Sequence, residues 1–250
     1  MSSPYVLLED RFGDLDEGMF SAPVGAHTEY HYLPEAAPKG HWSVACFINP
    51  TSRAWHVEER DGHRAMVQTC ENKASWTRPI LVAGDALWTD YTVTARFAPD
   101  SRHGCSGIAF RYRNSRCYYF AGFDADGLRL SVIRHETAFH QRDERVLARA
   151  DCAWDAGQEY ELTVSANGSA LRASVSGLAD IAAEDTTFLR GRVALAADGP
   201  TVYTSLQVTA TAAQSRTFGV MRSKVDRELD DLRADNPKPV VWRKVSTEGF

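Results

Sequence analysis

The chain has 250 residues, 44% hydrophobic and 24% charged, a balance that lets one large domain bury a proper core. A formal net charge of −5 argues against a dedicated nucleic-acid binder, yet 28 Lys and Arg remain to build a local basic groove for an acidic polysaccharide. No run approaches the ~20 apolar residues of a membrane-spanning helix, and Met1 to Asp10 has neither the basic start nor the apolar stretch of a secretory leader. As it stands the chain reads as cytoplasmic; a leader ahead of it would make it secreted. Cys46, Cys70, Cys105, Cys117 and Cys152 are scattered, with no C-x-x-C pair. They read as core thiols rather than a metal knuckle, with one disulfide open to an exported chain.

Taken in order, the segment from Arg11 to Gly40 is rich in Pro, Gly and His and poor in strand signal. It reads as a long ordered excursion over one end of the fold. A second irregular stretch, Glu71 to Gly84, carries Trp76. From there period-two alternation dominates. Tyr91, Val93, Ala95 and Phe97 alternate with Thr92, Thr94 and Arg96, and the pattern returns at Ile108/Phe110/Tyr112, Tyr160/Leu162/Val164, Leu171/Ala173/Val175 and Val202/Thr204/Leu206/Val208. Asp61-Gly62, Asp126-Gly127, Asn167-Gly168 and Asp198-Gly199 supply residues that accept the positive φ of tight hairpins. About ten to thirteen short strands, almost without helical periodicity before Gln214, predict an all-β antiparallel sandwich.

After Thr211 the period changes. Phe218, Met221, Val225, Leu229 and Leu232 fall three and four apart, predicting a helix from about Gln214 to Ala234, with Arg222/Asp226 and Arg227/Asp231 as i, i+4 pairs. Asn236-Pro237 ends it, and Val240 to Val245 reads as an extended strand. The expected division is a sandwich over 1–212, an amphipathic helix over 213–235, and over 236–250 a tail or the start of a further domain.

Several motifs carry a family resemblance. Leu8-Glu9-Asp10-Arg11-Phe12, Trp88-Thr89-Asp90-Tyr91-Thr92-Val93, Gly107-Ile108-Ala109-Phe110-Arg111-Tyr112, Tyr118-Tyr119-Phe120 and Gly191-Arg192-Val193-Ala194-Leu195 together resemble strands of the concanavalin-like jelly rolls of laminin-G-type domains and of the 3-keto-disaccharide hydrolase family. Thr28 to Pro34 and Asn236 to Trp242 resemble the amino-terminal sandwich, and the junction leaving it, of rhamnogalacturonan-lyase-like proteins whose following domain is a β-propeller. The resemblance implies a concanavalin-like antiparallel β-sandwich (jelly roll) with a C-terminal α-helix, acting as the front module of a polysaccharide-degrading enzyme. It carries over no catalytic set.

Sandwiches of this shape hold glycans on a curved sheet, through aromatic rings against sugar C–H faces and through polar groups on the hydroxyls. Acidic sugars also call for Arg, whose planar fork matches a carboxylate. Arg111 and Arg113, two apart on one strand, are expected to share a face. With Tyr119, His135, His140 and Arg142 on neighbouring segments and Tyr30 and His31 on the early loop, they form the candidate carbohydrate-binding set. Against this, outward arginines on strands are usually solvated, and some of these tyrosines must be core. A lyase would use Arg111 on the uronate carboxylate, His135 as base and Tyr119 as acid. His135 and His140 are one residue too far apart for the zinc-protease helix motif. The paired-carboxylate strand of laminarinase-type sandwiches, Glu-x-Asp-x-x-Glu, is absent, as are nucleophile elbows and nucleotide loops.

The expectation is therefore a carbohydrate-binding or substrate-presenting module for acidic plant-type glycans, leaning away from catalysis by this chain alone. A polysaccharide lyase or glycoside hydrolase, and a laminin-G-type structural module, are the alternatives. No cofactor is expected. Asp10, Asp14 and Asp16, or Asp124 and Asp126, offer oxygen ligands for a structural calcium ion. The partner is a polysaccharide or oligosaccharide, not nucleic acid or membrane, with a second copy or a downstream β-propeller reached through the helix and tail.

Overall fold

The computed structural model describes residues 4–20, 39–45, 53–74, 77–134 and 143–235. In chain order the strands are β1 (Tyr5–Asp10), β2 (Gly18–Met19), β3 (Ser43–Val44), β4 (Trp55–Arg60), β5 (His63–Gln68), β6 (Ile80–Ala83), β7 (Tyr91–Pro99) and β8 (Ser106–Asn114). There follow β9 (Cys117–Phe123), β10 (Gly127–Arg134), β11 (Glu144–Asp151), β12 (Tyr160–Asn167), β13 (Ala170–Val175), β14 (Ala179–Glu184), β15 (Arg192–Ala197), β16 (Thr201–Ala210) and the helix α1 (Ala212–Asp235). One sheet has nine strands, in the order β14-β13-β12-β7-β16-β5-β4-β2 with β1 also paired to β16. The other has seven, in the order β11-β10-β9-β8-β15-β6-β3. The expected all-β sandwich with a C-terminal helix is the architecture observed. The strands outnumber the sequence expectation partly because β2 and β3 are two-residue pairings too short to show a period.

The two sheets differ in a way written into their strands. In the nine-stranded sheet β7 alternates cleanly: Tyr91, Val93, Ala95 and Phe97 are buried, while Thr92, Thr94 and Arg96 face outward. Such alternation marks a sheet with one wet face. In the seven-stranded sheet β6 and nearly all of β9 and β15 are buried residue after residue. Near-continuous apolar runs signal burial on both faces. Between the sheets lies the main core, including Phe97, Phe110, Tyr119, Phe123, Leu162, Leu195, Tyr203 and Leu206. A second buried cluster, with Ile80, Val82, Ala109, Tyr112, Tyr118, Phe120, Ile133, Ala194 and Ala196, lies on the outer face of the seven-stranded sheet.

Asp61 and Gly62, with φ of 52° and 79°, form the two-residue turn joining β4 to β5. Gly168 (φ 55°) opens the β12–β13 hairpin. Asp198-Gly199 departs from expectation, because Gly199 does not use the left-handed region and Asp198 is turned inward and buried. A register shift in β16 between Tyr203 and Ser205 also splits the face expected from Val202 to Val208. Tyr203, Leu206 and Val208 point into the core, whereas Thr204 is exposed. One extra residue on one strand flips every side chain before it.

Thr211 and Gln214 cap α1 reciprocally: Gln214 N donates to Thr211 Oγ1 at 3.2 Å, and Thr211 N donates to Gln214 Oε1 at 3.0 Å. The helix therefore starts two residues before the apolar stripe suggested. Phe218 is its one buried residue and Met221 packs beside it. Arg222 reaches back to Asp85 (3.3 Å) and along the helix to Asp226 (3.9 Å). Arg227 donates instead to the Ser223 carbonyl at 3.1 Å. No helix among the described residues is long and apolar enough to cross a membrane.

Candidate functional site

The sequence candidates have very different fates. Arg111 has a φ of 44° and lies where the register of β8 shifts against β9. This left-handed residue in mid-strand breaks the alternation, so Arg111 is fully buried while Arg113 is exposed, and the two do not share a face. The Arg111 guanidinium donates to the carbonyls of Thr89 (Nε, 3.2 Å; Nη2, 3.1 Å), Gly168 (Nη1, 2.8 Å) and Phe188 (Nη1, 3.1 Å), and to Asp90 Oδ1 (Nη2, 3.4 Å). All the donors of its fork are thus committed within the protein. Its backbone N–H donates to the Tyr91 hydroxyl at 2.7 Å. Arg113 lies over the Phe188 ring at 5.4 Å.

Tyr119 belongs to the core between the sheets. Its ring stacks on Phe110 at 5.2 Å, and its hydroxyl donates to Asp185 Oδ1 at 2.6 Å while accepting the Phe188 N–H at 3.1 Å. Burial first, and then the Asp185 hydrogen bond, push the phenol up to about 12. That suits a structural hydroxyl better than a proton donor at neutral pH. The lyase trio thus has its Arg111 and Tyr119 members locked into the sandwich. Tyr30, His31, His135, His140 and Arg142 lie outside the described residues.

The metal candidates also have internal roles. Asp10 accepts Phe12 N at 2.6 Å and Trp42 Nε1 at 2.7 Å, one on each carboxylate oxygen. Asp124 Oδ1 caps its turn by accepting the N–H groups of Asp126 (2.9 Å) and Gly127 (3.1 Å), and Asp126 pairs with Arg149 at 2.5 Å. Asp14 and Asp16 are exposed in the turn after β1. Among the described residues no three His, Cys, Asp or Glu groups converge in a way that would hold a metal ion.

Two sheet faces remain as places for a ligand. The outer face of the nine-stranded sheet forms an open trough of about 1070 Å³ lined by residues such as Arg11, Arg60, Thr94, Arg96, Glu159, Glu161, Thr204 and Gln207. Its charges are solvated and mutually paired, as in Arg96–Glu161 at 2.9 Å. Such pairs contribute little and mark no special chemistry.

The outer face of the seven-stranded sheet is different, because charged groups there are held in the dry. Arg78, with a fully buried side chain, donates from Nε (3.0 Å) and Nη2 (2.9 Å) to Asp198 Oδ2. The guanidinium lies over the Phe120 ring, 4.3 Å from its centroid. Asn72 Nδ2 (3.0 Å) and Cys105 N (3.3 Å) also donate to the Asp198 carboxylate. Beside it, Arg129 donates to Ser131 Oγ at 3.2 Å, faces Asp124 at 3.5 Å and pairs with Glu144. Gly107, Ala109, Gly122, Ala194 and Ala196 are the small residues of this face, and the Phe120 ring packs over Gly122. Buried ion pairs beside aromatic rings are the pattern functional sites favour.

Sequence reasoning passed over Arg78, Asp198, Asn72 and Arg129. One signal was present: Arg78-Pro79 opens Ile80-Leu81-Val82-Ala83, a strand apolar on both faces, so Arg78 had to lead into a buried layer. Asp198 read as a turn residue, a role that Asp-Gly fills without any partner.

No protein-family model matches the sequence, and no curated protein matches it. The fold does have solved counterparts. The carbohydrate-binding module CBM66 from Bacillus subtilis superposes with a TM-score of 0.52 at 16% identity, over 68% of this chain and 96% of that one. The xylan β-1,4-xylosidase from Bacillus halodurans C-125 gives 0.50 at 10% identity, over 81% of this chain and 39% of that one. A bifunctional GH43-CE protein from Bacteroides eggerthii gives 0.50 at 12% identity, over 80% of this chain and 27% of that one. About two thirds of this chain thus matches nearly the whole of a binding module, whereas the match takes in only a minor part of each of the two longer chains. At these identities the likeness is one of fold: a β-sandwich of the type used in carbohydrate-binding and GH43 proteins.

Proposed function

We propose that the chain is a carbohydrate-binding or substrate-presenting β-sandwich module of a polysaccharide-degrading system, working through the outer face of its seven-stranded sheet. The observation that carries this reading is the group of half-buried charges on that face, where Arg129, paired with Glu144, and Arg149, paired with Asp126, stand side by side in the β10–β11 register, backed by the buried Arg78–Asp198 pair. Guanidinium forks at a partly exposed position offer directed donors for the hydroxyls and carboxylates of a sugar. The sandwich counterparts described above support the same reading. The expected ligand is a plant-type glycan containing acidic sugars, for which Arg129 and Arg149, register partners on β10 and β11, are the cations on this face. Placement ahead of a β-propeller in a rhamnogalacturonan-lyase-like protein rests on Thr28 to Pro34 and Asn236 to Trp242, which lie outside the described residues.

The test is a glycan-array screen of the intact chain, following the absorbance of unsaturated uronate on every hit. Binding without new absorbance is expected, with ligand-induced hydrogen-exchange protection on β6, β9 and β10 rather than on β7 and β12. Rising absorbance would make the chain a lyase. Failure to bind any glycan would overturn the proposal in favour of a structural module.

A further inference from the structure

Charge and packing both change character halfway along α1. From Ala212 to Lys224 the helix carries Arg216, Arg222 and Lys224 and no acid. From Val225 to Asp235 it carries Asp226, Glu228, Asp230, Asp231 and Asp235 against Arg227 and Arg233. Cations thus gather at its start and carboxylates toward its end, opposite to what the helix macrodipole favours. Phe218 and Met221 join the core of the sandwich and Arg222 is tied to Asp85, whereas no later side chain of α1 joins that core among the described residues. Val225, Leu229 and Leu232 nevertheless continue the apolar stripe, with Leu229 43% and Leu232 60% exposed. This outer stretch is about three turns long, and a helix end so short gains little stability without a packed apolar face.

We infer that the outer half of α1 is an interaction surface for a second copy of this chain, the two helices lying antiparallel about a twofold axis. Charge complementarity selects both the partner and its direction. With Leu229 against the partner's Leu229, the stripe brings Val225 beside the partner's Leu232. The same register sets Asp226 beside the partner's Arg233 and Lys224 beside the partner's Asp235, each pair formed twice by the symmetry. The cationic start of each helix then faces the acidic end of the other, and the two macrodipoles oppose. Parallel helices would instead lay the acidic ends side by side. Within one chain Arg222 meets Asp226 (3.9 Å), Lys224 meets Glu228 (3.8 Å) and Arg233 meets Asp230 (3.0 Å), which leaves Asp231 and Asp235 outside these pairs. The outer half therefore has an excess of acid that a cation from another molecule offsets. Glu228 falls near the axis opposite its own copy, a local repulsion that keeps the association modest. The arrangement places the two sandwiches at opposite ends of the helix pair and uses neither sheet face, so it is independent of the glycan-binding reading.

Sedimentation equilibrium of the intact chain under reducing conditions tests this. The mass should rise from one chain toward two as the concentration enters the high-micromolar range. Raising salt from about 0.05 to 0.5 M should weaken the association several-fold. Leu229→Asp, at an exposed position that leaves the sandwich intact, should weaken it by about tenfold or more, because the new carboxylate would be buried in the seam. Asp226→Arg and Arg233→Asp should each weaken self-association, and mixing the two variants should restore it, since every cross-pair is then opposite in sign again. A chain that stays monomeric at every concentration would overturn the proposal and leave the stripe to its own tail or to a different protein. A dimer indifferent to Leu229→Asp would place the interface elsewhere and overturn it too. Failure of the mixed variants to recover would refute the antiparallel register.

Discussion

Arg111 in one sheet donates from Nη1 to the carbonyl of Gly168, at 2.8 Å, in a hairpin of the other. Through Thr89, Asp90 and Phe188 the same side chain ties the neighbouring ends of β7 and β12 in one sheet to the segment leading into β15 of the other. Removing it strands several carbonyls in a dry interior. Arg111→Met should therefore lower the unfolding free energy by about 3–5 kcal/mol. Arg111→Lys should do little better, since one ammonium cannot reproduce a planar fork. Denaturant midpoints check this. A variant of unchanged stability that had lost glycan binding would instead return Arg111 to the binding set.

Alkali should unfold the protein through its tyrosines. Burial raises the pKa of Tyr91, Tyr119 and Tyr203, that of Tyr119 to about 12. A phenol whose folded pKa lies above its unfolded value of 10 contributes stability in full below pH 10 and loses it as pH rises toward the folded value. Tyrosinate absorbance should thus stay low just above pH 10 and then climb together with loss of tertiary structure. Independent titration of these phenols near pH 10, with the fold intact, would contradict the burial described.

At the acid end the sign reverses. Burial pushes Asp185 up, but hydrogen bonds from Thr187, Tyr119 and Arg145 outweigh it and hold the carboxyl below its usual 3.8. Its contribution is present above that value and lost as pH falls through the lower folded pKa. Asp185→Asn should flatten the acid limb of the stability profile and leave the alkaline limb, set by the tyrosines, largely in place. Denaturant melts across pH measure both limbs.

Phe218→Ala should release α1 rather than unfold the sandwich. Phe218 is the helix's one buried residue, and most of the side chains after Met221 are exposed. Helices this lightly anchored open locally, below the cost of global unfolding. Hydrogen exchange in α1 should accelerate while the sandwich melts within a few degrees of its original midpoint. A cooperative collapse of the whole chain would show that the helix contributes more than this one contact.

The open trough supplies a control. Arg96→Ala breaks the exposed pair with Glu161 and should cost under about 1 kcal/mol. Glycan affinity should be unchanged, because the proposed site is on the other sheet. A marked loss of affinity in titration calorimetry would move the site to the trough.

The sequence by itself determined the class of fold, because strand alternation is a local consequence of side chains pointing to opposite faces. Tyr91 to Phe97 and Tyr160 to Val164 read as half-buried strands and are so. Phe218 and Met221 likewise mark the packed side of α1. It also held a contrast that separates the two sheets, alternating in β7 and continuously apolar in β6 and β9. Tertiary structure alone decided which polar residues are chemically distinctive. Arg111 and Arg113 looked equivalent at a spacing of two, and a single left-handed residue sends one inward and leaves the other in solvent. Arg78 and Asp198 are 120 residues apart and share no local pattern. They meet only because β6 and β15 pair, carrying Arg78 just ahead of one strand and Asp198 just past the other to the same end of the sheet. A buried charge acquires its partner through strand order, and strand order is a property of the whole chain rather than of any stretch within it.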